Sequence, residues 1–195
     1  VRVIAGTARS RALKGPPGAG TRPMTDKVKE ALFNILAPFG FEQAQVLDLF
    51  AGTGSLGVEA LSRGAGHADF VEQNATVCRI IRSNLETTGL AERGKVHQRA
   101  VAQFVSSPPR AEGTVVAYDI IFADPPYADP TIPQMLLSVG EAGLLAADGV
   151  FVVGHSSRVG LDEQYGLLHR IRHRSYGDSD FSLYQLAAEP PTNKE

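Results

Sequence analysis

The chain contains a single cysteine, Cys78, no apolar stretch long enough to span a bilayer, and no internal repeat. A lone thiol excludes an internal disulfide, and with no Cys/His cluster around it a structural zinc site has little to rest on, so no metal is expected. Cys78 falls on the apolar side of a helical pattern and reads as core. A membrane helix needs about 20 consecutive apolar residues, and the N-terminal residues lack the basic-then-apolar leader of an exported chain. The expectation is a cytoplasmic protein with no membrane partner. Net charge is scarce too, −2 over 195 residues, which by itself points to no polyanionic partner.

What is present is more specific. An apolar fraction of 43% with 21% charged residues suits one compact domain with at most a small extension. Charge is unevenly placed: Arg2, Arg9, Arg11, Lys14, Arg22, Lys27 and Lys29 against Asp26 and Glu30 give residues 1–30 a charge of +5, leaving −7 on the rest. That is the composition of a basic arm on an acidic body. A second basic cluster, His169, Arg170, Arg172, His173 and Arg174, alternates at strand spacing and suits a solvated strand face or a nucleic-acid contact equally.

Arg2–Ala5 and Ala12–Lys14 read as two short extended pieces forming a hairpin-like appendage, followed by the Gly/Pro-rich stretch 15–20. A helix is predicted from the N-cap-type residue Thr25 with Val28, Ala31, Leu32, Ile35 and Leu36 as its apolar stripe, ending at Pro38. Apolar runs at 46–50, 68–71, 95–98, 120–123 and 150–154 then alternate with helical patterns, the longest at 75–88 and others at 100–106 and 132–140. Strands apolar on both faces and separated by helices predict a parallel sheet covered on both sides, an α/β fold. Two consecutive strand-like segments, 168–174 and 181–187, joined through Gly177 and Asp178, close it with an antiparallel hairpin. Residues 189–195 read as a loose tail.

The segment Val46-Leu-Asp-Leu-Phe-Ala-Gly-Thr-Gly-Ser-Leu-Gly57 is a strand, a glycine turn and a helix start. There the backbone can approach a ligand closely and helix N–H groups face it. Glu72, twenty residues after Gly52, stands where a carboxylate accepts from both ribose hydroxyls. Gly52, Gly54 and Gly57 also satisfy the dinucleotide fingerprint, but Asp48 before the turn suits a cationic sulfonium cofactor better than a pyrophosphate. The expected cofactor wall is Asp48, Phe50, Ala51, Gly52, Thr53, Gly54, Glu72 and Gln73.

Asp119-Ile-Ile-Phe-Ala-Asp124-Pro-Pro-Tyr127 ends an apolar strand in a carboxylate, two prolines and an aromatic ring. The exocyclic amine of a base is a poor nucleophile because its lone pair is delocalised into the ring, so a catalyst must hold and aim it. Asp124 and the Pro125 carbonyl can each accept one N–H, Pro125 and Pro126 stiffen the backbone, and Tyr127 offers a face for stacking a flipped base. A dehydrogenase has no use for this element.

These motifs resemble the amino-methyltransferases carrying (D/N/S)-P-P-(Y/F/W). The phrases Arg2-Val-Ile-Ala-Gly6, Arg9-x-Arg11-x-Leu13, Thr21 to Leu36, Tyr176-Gly-Asp-Ser and Ser182-Leu-Tyr184 are similar to the RsmD family of 16S rRNA (guanine-966-N2)-methyltransferases across nearly the whole chain. The resemblance implies a class I, Rossmann-like methyltransferase sheet of seven strands over residues 25–188. It also implies S-adenosylmethionine as donor, and an arm over residues 1–24 gripping 16S rRNA in the small ribosomal subunit or a late precursor through Arg2, Arg9, Arg11, Lys14 and Arg22. It adds Thr25 to the cofactor site and implies a monomer. The Asp that many class I enzymes use on the adenine amine after the third strand is missing in Arg99-Ala-Val, which leaves adenine recognition to backbone around Ala100 and Val101. Two readings compete: a DNA adenine or cytosine amino-methyltransferase, which usually carries a further target-recognition domain, and a non-catalytic RNA-binding factor.

Overall fold

The computed structural model describes residues 1–16, 24–126 and 129–187. Its frame is a sheet of β1 (Gln45–Leu49), β2 (His67–Glu72), β3 (Gly94–Gln98), β6 (Tyr118–Ala123), β7 (Leu145–Ser156), β8 (Gln164–Tyr165), β9 (Leu168–Tyr176) and β10 (Ser179–Leu186) in the order β3-β2-β1-β6-β7-β10-β9-β8. A two-stranded ribbon, β4 (Arg110–Ala111) with β5 (Thr114–Val115), stands apart. The pairs from β3 to β7 are parallel and those from β7 to β8 antiparallel. The parallel sheet with its closing hairpin is as expected. The strand count is not: the two-residue β8 makes eight strands, and it is too short to carry a periodic signal.

Helices α1 (Asp26–Leu36), α2 (Ser55–Ser62), α3 (Ala75–Thr88), α4 (Val101–Ser106) and α5 (Ile132–Glu141) supply the crossovers and the covering layers. Along β6, Ile120 and Phe122 join the core that holds Leu32, Phe33 and Phe70, while Ile121 and Ala123 join the opposite one with Leu136 and Phe151. A strand buried on both faces loses its alternation, which is why these runs read as continuously apolar. The chain leaves β1 outward to β3, then returns to β6 on the other side of β1. Ligands of open α/β sheets bind at the carboxyl ends of the strands flanking such a reversal.

Thr25 caps α1, its hydroxyl accepting from Val28 N at 3.3 Å. The buried stripe is rotated from the one predicted: Lys29, Leu32, Phe33 and Leu36 are buried, whereas Val28, Ala31 and Ile35 are half-buried. The cause is Lys29, counted above among the basic arm. Its ammonium is fully buried, donating to Arg2 O at 2.6 Å and Ser55 Oγ at 3.1 Å, and lies 3.4 Å from Glu59 Oε2. Burial lowers its pKa, with Glu59 opposing the shift.

The segment expected as an appendage closes on itself through one bridge, Arg2 to Ala12, and docks on the body: Val3, Ala8 and Leu13 are buried in the larger core. The boundary at residue 24 is therefore no packing boundary on the described side. Gly6 has φ +81, and a Cβ there would fall 1.7 Å from Ser62 O, so only glycine fits.

On β2, Asp69 accepts from His97 Nε2 and, at 2.7 Å, from Tyr118 Oη. Burial works to raise its pKa, but hydrogen bonds from His67, His97 and Tyr118 outweigh it and hold the carboxyl well below the usual range. A depressed folded-state value contributes stability that is present above the unfolded value, about 3.9, and lost as pH falls through the folded one. Asp69→Asn is therefore expected to flatten the loss of urea stability between about pH 5 and pH 2; an acid slope equal to the parent's would show that other carboxylates carry it.

Candidate active site

A cleft of about 1560 Å3 opens at the carboxyl ends of the central strands. It is bordered by Asp48, Phe50, Ala51, Gly52 and Thr53 after β1, Glu72 and Gln73 after β2, Ala100 and Val101 after β3, Asp124, Pro125 and Pro126 after β6, and Thr25 before α1. Gly54 is not on its wall. As the N-cap of α2 with φ 74, it leaves room for the core instead, since a Cβ there would lie 3.2 Å from Phe70 Cε1. Gly57 serves the same end more tightly, at 2.4 Å from that atom. Gly52 differs: with φ +52, its absent Cβ would meet nothing nearer than Phe50 O at 3.8 Å, so the space it leaves belongs to the cleft. Phe50 also takes a positive φ, 56, an uncommon strain for an aromatic residue and one that composition does not reveal.

Of the carboxylates bordering this volume, Asp48, Glu72 and Asp124 stand at the carboxyl ends of the parallel strands. Glu72 spans the turn, accepting from Gly52 N at 3.2 Å and Asn74 N at 2.8 Å. Asp48 accepts from Gly57 N at 2.9 Å; burial pushes its pKa up to about 8, Gly57 opposes, and Asp124 and Glu72 add to the rise. Asp124 faces the open cleft, where water reaches it, yet protein encloses its remaining sides and raises its pKa to about 6. With two further carboxylates adding to the rise at Asp48, the site is short of positive charge, which fits a ligand bearing sulfonium and ammonium groups and disfavours a pyrophosphate. Glu72, with lone pairs beyond the two it uses, fits the hydroxyls of a ribose.

Asp124 leans on β7, where a Cβ at Gly154 would lie 2.5 Å from its Oδ1. A flexible carboxylate can move aside, so Gly154→Ala is expected to leave the fold intact while displacing Asp124 and lowering turnover at least about tenfold. Unchanged turnover with unchanged melting would show that the carboxylate position is not critical. Gly154, with His155, Tyr176 and Phe181 from the hairpin side of the cleft, was not among the predicted site residues. Only strand pairing brings them there, although the Tyr176 phrase contributed to the family resemblance.

Tyr127 and Arg22 lie outside the described residues. Of the other expected RNA contacts, Arg2 pairs with Asp26 at 2.7 Å, Arg11 donates to Thr87 O at 3.3 Å, Lys14 donates to Ser83 Oγ at 3.0 Å, and Arg9 is exposed. In the second basic cluster, Arg170 is tied to Leu161 O at 2.7 Å and His173 to Asp180 at 2.9 Å.

Residues 1–185 match the model of a family described as conserved hypothetical protein 95. YlbH of Bacillus subtilis (strain 168) is 37% identical over 185 residues, 95% of this chain and 98% of that protein. Ribosomal RNA small subunit methyltransferase D of Escherichia coli (strain K12) is 34% identical over 189 residues, 97% of this chain and 91% of that one. The solved structure of yhhF from Escherichia coli shares the fold with a TM-score of 0.83 at 33% identity, covering 97% of this chain and 99% of the other. Matched over nearly its whole length in both sequence and fold, the chain belongs to the family described as conserved hypothetical protein 95, that of the small-subunit methyltransferase D proteins.

Proposed function

We propose that this protein is an rRNA methyltransferase that transfers the methyl group of S-adenosylmethionine to the N2 amine of a guanine in 16S rRNA, guanine 966 by family likeness. The substrate is the small subunit or a late precursor, met by a monomer in the cytoplasm. The observation that carries this reading is the convergence of two turns. Leu49 and Ala123 are register partners on β1 and β6, so the Gly52 turn and Asp124 leave adjacent strand ends and open into one cleft.

When bound, the donor supplies a methyl carbon on a positively charged sulfur that departs as a neutral sulfide. The chain's residues do the rest. Glu72 would accept from the ribose hydroxyls, Asp48, whose ionised form a nearby cation favours, would face the sulfonium end, and backbone at Ala100 and Val101 would border the adenine. Asp124 and the Pro125 carbonyl each accept one N–H of the guanine amine, which turns its lone pair toward the methyl carbon, with Tyr127 stacking on the base. As the N–C bond forms and the C–S bond breaks, the nitrogen gives up a proton, and the Asp124 carboxylate is placed to receive it. Holding the reacting atoms in line accounts for up to ~7–11 kcal/mol of barrier reduction. Arg2, Arg9, Arg11, Lys14 and Arg22 engage RNA phosphates.

Incubation with methyl-labelled donor and either small ribosomal subunits or duplex DNA tests the reading. Label is expected in 16S rRNA, at a guanine N2 by mass spectrometry. Label in DNA alone would replace this assignment with DNA amino-methylation, and no label in any substrate would favour a non-catalytic RNA-binding factor.

A further inference from the structure

On the hairpin side of the cleft, whose wall includes His155 and Asp180, three strands bring together a cluster that the proposed reaction does not use. His155 lies near the end of β7, His173 on β9 and Asp180 near the start of β10. Asp180 is the register partner of His155, and Ser182 that of His173, so alternation along β10 puts all three side chains on one face of the sheet. One ligand-type atom from each lies within 4.8 Å of the others.

The cluster is prepared in two ways. Asp180 is only 6% exposed; its Oδ2 lies 2.9 Å from His173 Nε2, while its Oδ1 is sealed from water with no hydrogen-bond partner. A buried carboxylate oxygen without a donor is costly and calls for an electropositive neighbour. His155 is oriented by its neighbours: Nδ1 lies 3.1 Å from Ser156 O, which can only accept, so the proton sits on Nδ1 and the Nε2 lone pair points toward Ser182 Oγ at 3.0 Å. Metal-binding imidazoles are commonly oriented by donating their other N–H to a backbone carbonyl. The comparable group on β2 lacks such a vacancy, because both Asp69 oxygens already accept, from His97 and Tyr118.

We propose that His155 Nε2, His173 Nε2 and the Asp180 carboxylate bind a divalent first-row transition cation of the zinc class, with Ser182 Oγ beside the fourth position and the proton that His173 Nε2 donates to Asp180 released to solvent on binding. Two imidazoles and one carboxylate favour such metals over magnesium or calcium. The cation clamps β7, β9 and β10 at the turn through Gly177 and Asp178, which borders the cleft. A search for cysteine-bearing motifs misses this site, since pairing of distant strands assembles it.

The test needs no methyl transfer. The full chain, stripped with EDTA and dialysed, is titrated with zinc chloride by calorimetry and melted with and without zinc. About one zinc per chain and a higher melting temperature are expected, with His173→Gln and Asp180→Asn each weakening binding at least about tenfold. His173 is the most exposed of the three, so its variant keeps the fold even where Asp180→Asn does not. Binding by His173→Gln equal to the parent's, no binding by the parent, or binding lost in His67→Gln but kept in His173→Gln would each overturn the proposal.

Discussion

Asp124→Ala is expected to lower methyl transfer to rRNA by about a hundredfold to a thousandfold while leaving donor binding intact, the loss typical when one preorganised hydrogen-bonding partner of a transition state is removed. The reason is positional. Asp124 follows the last residue of β6 and shares the cleft with the Gly52 turn, so its removal leaves the amine without an acceptor to orient its lone pair. The cofactor wall, built after β1, β2 and β3, is untouched. Labelled-methyl incorporation read beside calorimetric binding of the donor separates the two effects. The enclosure that raises the Asp124 pKa to about 6 adds a second signature. The ionised carboxylate is the stronger N–H acceptor and the only form able to take up the departing proton, so kcat/KM of the parent is expected to decline toward tenfold per unit as pH falls below about 6. The alanine variant should lack this limb. Full activity in Asp124→Ala would remove the residue from the reaction.

Glu59→Ala is expected to cost ~3–5 kcal/mol of stability, the range for breaking a buried ion pair by deleting one partner. Glu59 is completely buried and satisfies four donors: Ile4 N at 2.7 Å, Ala5 N at 3.0 Å, Arg63 Nε at 2.9 Å and the Lys29 ammonium. Truncation strands a buried ammonium and two backbone N–H groups at once. Against a typical domain stability of about 5–15 kcal/mol, the variant stands close to unfolding. It should also loosen the first residues of the chain, since Glu59 accepts from Ile4 N and Ala5 N. The midpoint of urea unfolding and the rate of proteolysis at the N-terminus report these effects separately. Adding Lys29→Met, which removes the orphaned charge, should restore part of the loss. A change under about 1 kcal/mol in Glu59→Ala would mean that the network gives no net support.

Much of the fold could be read from the residues because period and punctuation carried it. Continuous apolar runs mark doubly covered strands, Gly89 closes α3 with φ 74, and the strand-to-glycine-turn segment at 46–57 marks one wall of the cleft. What misled was charge. Lys29 counts as surface in any composition, yet it is buried because Glu59, one turn from the arm in space and thirty positions away in sequence, receives it. Gly54 likewise looks like a ligand contact in the motif and turns out to make room for Phe70 and Ile81.

The alternation of elements, the parallel sheet with its antiparallel close, and the two turns that border the cleft follow from residues within a few positions of one another along the chain. Which side chains share the cleft, which charges are sealed inside, and that His155, His173 and Asp180 meet follow from packing alone. Those facts depend on strand order and register, set by how whole faces pack, and no local pattern encodes them.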